Sequence, residues 1–392
     1  MKILKTYGIS EHARAENLFF ELIQVAIGQR ERLSRNLSNK EWAELYAMSF
    51  KQSLAGVVFY GVEKLPKEQW PAQTILFQWM GDVTLIENRN ILTFKVCQDL
   101  CEQLEKDGFQ CCILKGQANY AYYPSGLKNR RTCGDIDVWT VPKDGRSKKE
   151  DVRKVLEYLK GKYEQTGLCW LHANITHESG VPVEVHFYPS FMNSPVKNKW
   201  FLKYFYDIKE CTCLKDIDGI QIPALKMDYD VIYQMSHIYR HLIDEGVGLR
   251  QVLDYYMLLK TWYMEKGSQK KEDVMQVVKH LGMGRFSTAL MYVLQKVFGM
   301  PNEWLLCEPS EKHGRFLLNE ILIAGNFGHD DPRMASLNVK EGHLGYQIKH
   351  AGRRIKRNMR FFASYPEEVF WEPYARMSHF AWKMFHSLKN EN

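Results

Sequence analysis

Apolar residues recur at helical spacing along the first hundred positions of the chain. Leu18, Leu22 and Val25 fall at i, i+4 and i+7, one stripe of a helix. The stretch Ser38-Asn39-Lys40-Glu41 fits a capping box and predicts the start of a second helix. Leu92, Val96, Leu100 and Leu104 predict a third, with Gly108 placed to stop it. From Phe109 the pattern changes to short apolar runs bounded by glycine. FQCCILK reads as a strand, GQANYAYY as a short helix ending before Pro124, and PSGLKNRRTCG as a loop. DIDVWTV alternates acid and apolar, so it predicts a strand with one polar and one apolar face. KKEDVRKVLEYLKGKY is a charged amphipathic helix. HANITHE and VPVEVHF read as a β-hairpin turning at Ser179-Gly180. Beyond about Ser194 the pattern returns to helices, packed through Ile232, Met235, Tyr239 and Leu242, then Leu249, Leu253 and Tyr256, then Phe286, Leu290 and Val293. No fixed-period repeat or low-complexity segment is visible. The expectation is an α+β fold: an N-terminal helical region (1–108), a small mixed-sheet core (109–193) and a C-terminal helical domain (194–392).

Composition narrows the class. A chain of 392 residues with 45% hydrophobic and 25% charged residues is that of an ordinary globular protein. No apolar run reaches the roughly 18 residues of a membrane span. The N-terminus lacks a long apolar core followed by small residues, which argues against a secretory signal. Nine cysteines, an odd count, fit reduced thiols in a cytoplasmic protein. Cys211 and Cys213 are too close for the usual zinc-ligand spacing. The net charge is +7, and residues 342–392 carry nine Lys/Arg against four Glu. Residues 349–360 hold six Lys/Arg and no acid. Two readings stand for that run: a solvated helix face, or a patch for the phosphates of a nucleotide or nucleic acid.

The candidate chemistry lies in NRRTCGDIDVW. Side chains two apart on a strand share a face, with Cα atoms about 6.6 Å apart at ~3.3 Å per residue. Asp135 and Asp137 therefore stand together, with Ile136 and Val138 behind them. Two such carboxylates repel unless a cation sits between them, and hard oxygen donors suit Mg²⁺ or Mn²⁺. The blander reading is a solvent-facing edge, or pairing with Arg130 and Arg131. Glu184, flanked by Val183 and Val185, is a third acid that needs a partner. Upstream, Leu114-Lys115-Gly116 is a strand turning into a helix, which presents backbone N–H groups to a phosphate, and Lys115 adds a positive charge.

These residues resemble a poorly characterised bacterial nucleotidyltransferase family within the DNA polymerase beta-like superfamily. The likeness rests on Leu114, Lys115, Gly116, Tyr123, Pro124, Arg131, Gly134, Asp135, Asp137, Glu184 and His186. It continues into HIYRHLIDEGVGLRQVLDYY, with its Arg250 and Asp254, and so spans roughly 109–260. The resemblance implies transfer of a nucleoside monophosphate from a nucleoside triphosphate such as ATP to an acceptor hydroxyl. Asp135, Asp137 and Glu184 are then catalytic and hold two Mg²⁺ or Mn²⁺ ions. Lys115, Gly116, Arg131, Gly134 and His186 are then at the nucleotide. The acceptor stays open between a small molecule, RNA and a protein side chain. Gln117 departs from the superfamily's small residue after the glycine, and it supports a competing reading: a catalytically silent nucleotide-binding protein of the same fold. His186 is either an orienter of Glu184 or an ordinary strand histidine. His237 and His241 have a zinc-compatible i, i+4 spacing, but a polar helix face or cleft wall is the simpler expectation. Arg250 and Asp254 could form a helix ion pair or line the cleft.

Overall fold

The structure, a computed structural model, describes residues 15–145, 147–333 and 343–388. The N-terminal stretch weighed for a leader begins in residues 1–14, outside the described residues. Helix α1 (15–26) buries Leu18, Leu22 and Val25 as their spacing predicts. Helix α2 (Asn39–Lys51) starts at the expected capping box. Glu41 N–H donates to Ser38 Oγ at 3.4 Å, and Ser38 N–H donates to the Glu41 carboxylate at 2.9 Å. Helix α3 (Ala55–Lys64) is largely buried. Helix α4 (Gln73–Lys106) is longer than the leucine stripe suggests. Its first half exposes Phe77, Met80 and Leu85 and buries Trp79 and Val83, four residues apart. Val96, Leu100 and Leu104 are buried, and Leu92 is exposed. Gly108, at φ +91°, ends the helix and turns the chain into the sheet.

Among the described residues, seven strands form one mixed sheet in the order β3-β4-β5-β2-β1-β7-β6. Strand β1 (Phe109–Ile113) leads through a 3₁₀ turn (Gly116–Tyr122) and the short helix α5 (Ser125–Lys128) to β2 (Ile136–Pro142), which pairs antiparallel with β1. After α6 (Lys148–Lys162) come β3 (Gln165–Leu168), β4 (His172–Thr176) and β5 (Pro182–His186). The expected hairpin is β4–β5, and β5 lies parallel to β2. Helices α7 (Pro195–Tyr204) and α8 (Ile208–Cys211) follow. The expectation of helices alone beyond Ser194 is incomplete. Strands β6 (Thr212–Ile217) and β7 (Ile220–Leu225) form a hairpin there, and β7 pairs parallel with β1. Its turn is Asp218-Gly219, with φ +55° and +83°.

One face of the sheet buries Ile113, Ile136, Val138, Val183 and Val185 against α4 and α6. The other packs Cys112, Leu114, Trp139 and Leu225 against α9 (Met227–Asp244) and α10 (Leu249–Lys266). Helix α9 is buried on nearly every side, including the predicted Ile232, Met235, Tyr239 and Leu242. Helices α11 (Lys271–His280), α12 (Gly284–Phe298) and α13 (Glu311–Ala324) extend that layer, and α14 (His343–Phe362) and α15 (Pro366–Leu388) close it. All nine cysteines are unpaired thiols.

The basic run of α14 is largely spent within the molecule, within its described side chains. Arg357 donates to the Leu242 and Asp244 carbonyls at 2.7 and 3.1 Å, capping the C-terminus of α9. Arg354 pairs with Glu372 at 2.8 Å and Arg360 with Glu320 at 3.1 Å. The side chains of 349–351 lie outside the described residues.

Glu368, at the start of α15, accepts from the N–H groups of Asn193 at 2.7 Å and Ser194 at 3.4 Å. Burial pushes its carboxyl up from 4.5 to about 7. A carboxyl raised on folding helps the fold most while the unfolded chain is still protonated, and that help is lost as pH climbs to the folded value. Glu368→Gln is therefore expected to gain on the parent protein by roughly 3 kcal/mol between pH 4.5 and 7, measured by urea unfolding at several pH values. A pH-independent difference between the two proteins is the contrary result.

Candidate functional site

The site grows out of the centre of the sheet. Leu114 N–H donates to the Asp137 carbonyl at 3.0 Å, which fixes the end of β1 beside β2. Lys115 is extended, and Gly116 enters the left-handed region at φ +63°. A Cβ on Gly116 would meet nothing closer than 3.9 Å, so glycine is required there by backbone conformation rather than by crowding. The β2–β5 register sets Asp137 opposite Glu184 and Trp139 opposite His186. The β4–β5 register adds His172 opposite His186. Strand parity then turns Asp135, Asp137, Glu184, His186 and His172 to one face.

Asp135, Asp137 and Glu184 each offer a carboxylate oxygen, and these oxygens lie within 4.8 Å of one another. Asp137 is buried at 2% side-chain exposure, whereas Asp135 keeps 32% and Glu184 26%. The Lys115 ammonium lies 3.0 Å from Asp137 and 3.7 Å from Asp135. Burial opposes the lysine's charge, but Asp135, Asp137 and Glu184 outweigh it and raise its pKa. Burial likewise opposes the Asp137 carboxylate, and Lys115 and His186 hold its pKa below the usual range. His186 Nε2 stands 3.2 Å from Asp137 and 3.3 Å from Glu184. Burial lowers the His186 pKa, and the two acids more than restore it. His172 lies 3.4 Å from Glu184, and burial, aided by His186, depresses it to about 4. This oxygen-rich set has the donors that Mg²⁺ or Mn²⁺ takes.

The facing wall comes from α9 and α10. Gln234, His237, Arg250, Gln251 and Asp254 line the same cleft as Lys115, Gly116, Asn119, Arg131, Gly134 and the aspartates. Asn119, His237, Arg250 and Gln251 are each 6% exposed or less. Asn119 Nδ2, His237 Nε2, Arg250 Nε and Gln251 Nε2 have no hydrogen-bond partner among the described residues. Buried polar atoms of this kind are rare unless something completes them. Burial, with His241 next, pushes the His237 pKa well down, so its ring is neutral.

Arg131, expected at the triphosphate, lines the cleft with its guanidinium held bidentately by Asp254 at 2.6 and 2.7 Å, and Tyr123 OH donates to the same carboxylate at 2.8 Å. The helix pair Arg250–Asp254 does not form; Arg250 donates to the Thr132 carbonyl at 3.0 Å. Asp254→Ala strands a buried cation and is expected to cost about 3–5 kcal/mol by chemical denaturation. A cost under about 1 kcal/mol would mean that water compensates Arg131. Gln117 is fully buried and is not among the cleft's lining residues. Sequence reasoning passed over Asn119, Gln234, Gln251 and His172. The available signals were amides inside apolar runs and the hairpin pairing of His172 with His186.

Comparison with known proteins agrees in part. A family model described as "Uncharacterised nucleotidyltransferase" matches residues 38–299. A crystal structure of an antigenic nucleotidyltransferase-like protein from Paracoccidioides brasiliensis is 12% identical, covering 48% of this chain and 92% of that one. Its TM-score of 0.30 is too low to carry weight. No curated protein matches. By the length of the family match, laid over the carboxylate cleft, the chain belongs to the uncharacterised nucleotidyltransferase family.

Proposed function

We propose that the protein transfers a nucleoside monophosphate from a nucleoside triphosphate to an acceptor hydroxyl, with divalent metal held by Asp135, Asp137 and Glu184. The observation that carries this reading is the convergence of three carboxylates within 4.8 Å, facing a wall of unpartnered buried polar groups. Mg²⁺ or Mn²⁺ bound there supplies charge neutralisation at the phosphoryl group and a lowered pKa for the attacking oxygen. Arg250, Gln251 and Asn119 donate to the polyphosphate, replacing the hydroxyl that Gln117 does not provide, and His237 adds a neutral ring nitrogen. Gly116 leaves room for the phosphate chain, and Lys115 moves from the aspartates to the departing pyrophosphate. Glu184 accepts the proton of the acceptor hydroxyl as its oxygen bonds to the α-phosphorus and the bond to pyrophosphate breaks. The acceptor enters beside His172, from a cavity of ≈ 340 Å³ bordered by Trp170, Phe191, Arg240 and His379.

A second reading, a silent nucleotide binder, is favoured by Lys115, whose ammonium already neutralises Asp137. Incubation with each α-labelled triphosphate and Mg²⁺ or Mn²⁺ separates the two. Pyrophosphate release with label on an acceptor supports transfer. Saturable binding with no release, across candidate acceptors, supports the binder.

A further inference from the structure

His172, Glu184 and His186 form a second ligand set beside the acid trio, with ligand atoms again within 4.8 Å of one another. His186 Nδ1 lies 3.2 Å from the Tyr188 carbonyl. A carbonyl only accepts, so Nδ1 carries a proton, and Nε2 is the ring atom turned toward Glu184 and Asp137. A carbonyl holding the far nitrogen is also the usual support of a metal-bound histidine. On the other side of Glu184, His172 Nδ1 is buried and makes no hydrogen bond.

The spacings point the same way. Glu184 Oε2 is 3.3 Å from His186 Nε2 and 3.4 Å from His172 Nδ1. Two ligands ~2.0–2.1 Å from a tetrahedral zinc lie about 3.3–3.4 Å apart. Charge permits a metal ion there, because three carboxylates stand beside the Lys115 ammonium. We propose that His172, Glu184 and His186 bind a borderline divalent ion of the Zn²⁺ or Co²⁺ type, at a site distinct from the all-oxygen trio and sharing Glu184 with it. Two nitrogens and one oxygen favour such ions over Mg²⁺. Three protein ligands leave a fourth position, on the side of the ≈ 340 Å³ cavity that His172 borders.

The test is Co²⁺ titration of the full chain without nucleotide, followed by visible absorption. The parent protein is expected to bind Co²⁺ with the intense ligand-field bands of a four-coordinate site, displaced by Zn²⁺ and not by millimolar Mg²⁺. Asp135→Asn should keep the bands with affinity within a few-fold, which separates this site from the transfer reading. His172→Gln should weaken binding by at least the ~10–100-fold that loss of even an outer-shell partner brings. His172→Cys should restore it and add a thiolate-to-cobalt charge-transfer band. Displacement by Mg²⁺, or unchanged Co²⁺ affinity in His172→Gln, overturns the proposal. If His172→Gln does not fold, absence of the charge-transfer band in His172→Cys does so.

Discussion

Asp135→Asn is expected to cut nucleotidyl transfer by about 10³-fold or more while leaving the thermal midpoint nearly unchanged. Loss of a preorganised charge at a reacting phosphoryl group costs at least the ~10²–10³ seen for a single oxyanion donor. Asp135 is one-third exposed, and its distance to Lys115 is the longer of the two, so the fold has little invested in its charge. Asp137→Asn should lose as much activity and, in addition, about 3–5 kcal/mol of stability. Asp137 is buried between Lys115 and His186, and the amide leaves both cations short of a counter-charge. Transfer assays paired with calorimetry on the two variants distinguish the roles. Full turnover by Asp135→Asn would remove the acid trio from the chemistry.

Lys115→Met is expected to bind Mn²⁺ at least about tenfold more tightly without nucleotide, and to bind triphosphate more weakly. Lys115 is the cation now serving the aspartates, and an opposite charge at this range is worth about 1–3 pKa units to a carboxyl. Any metal must displace it, so its removal opens the site while removing a partner of the pyrophosphate. Acid stability should move too. The depressed Asp137 pKa contributes stability that is present above the carboxyl's unfolded value and lost as pH falls through its folded value. Without Lys115 that folded value rises, so the acid-side loss begins at higher pH. Mn²⁺ titration monitored by electron paramagnetic resonance reads the first effect and acid unfolding the second. Weaker Mn²⁺ binding in the variant would show that Lys115 helps recruit the metal.

The half of the site carried by β1, β2 and β5 is legible in the chain because its determinants are local. Strand parity puts Asp135 with Asp137, a glycine marks the left-handed turn, and the Ser179-Gly180 turn signals the hairpin whose strands carry Glu184 and His186. The α9–α10 wall is less so. Its helices are buried on most faces, and nothing in their periodicity tells which amides meet the cleft and which meet each other, as Gln234 meets Asn119 at 2.8 Å. Strand β7 pairs with β1 across more than a hundred residues, though Asp218-Gly219 between alternating strands was a readable hairpin signal. The charge density of 349–360 was visible, but its partners were not. Glu320 and the end of α9 are distant in sequence, Glu372 lies on the following helix, and only the packing of helices joins them to the run.

The family match ends at residue 299, and every donor and acid assigned to the nucleotide lies before that point. Glu372, Arg376 and His379 of α15, which complete the cavity beside His172, come after it. On the proposed reading, the nucleotide side of the reaction is written within the matched stretch, while the recipient's cavity is walled by Trp170, Phe191 and Arg240 from that stretch and by α15 from beyond it. Evolution could then exchange the C-terminal stretch and redirect the enzyme to a new recipient while its grip on the triphosphate stays as it is.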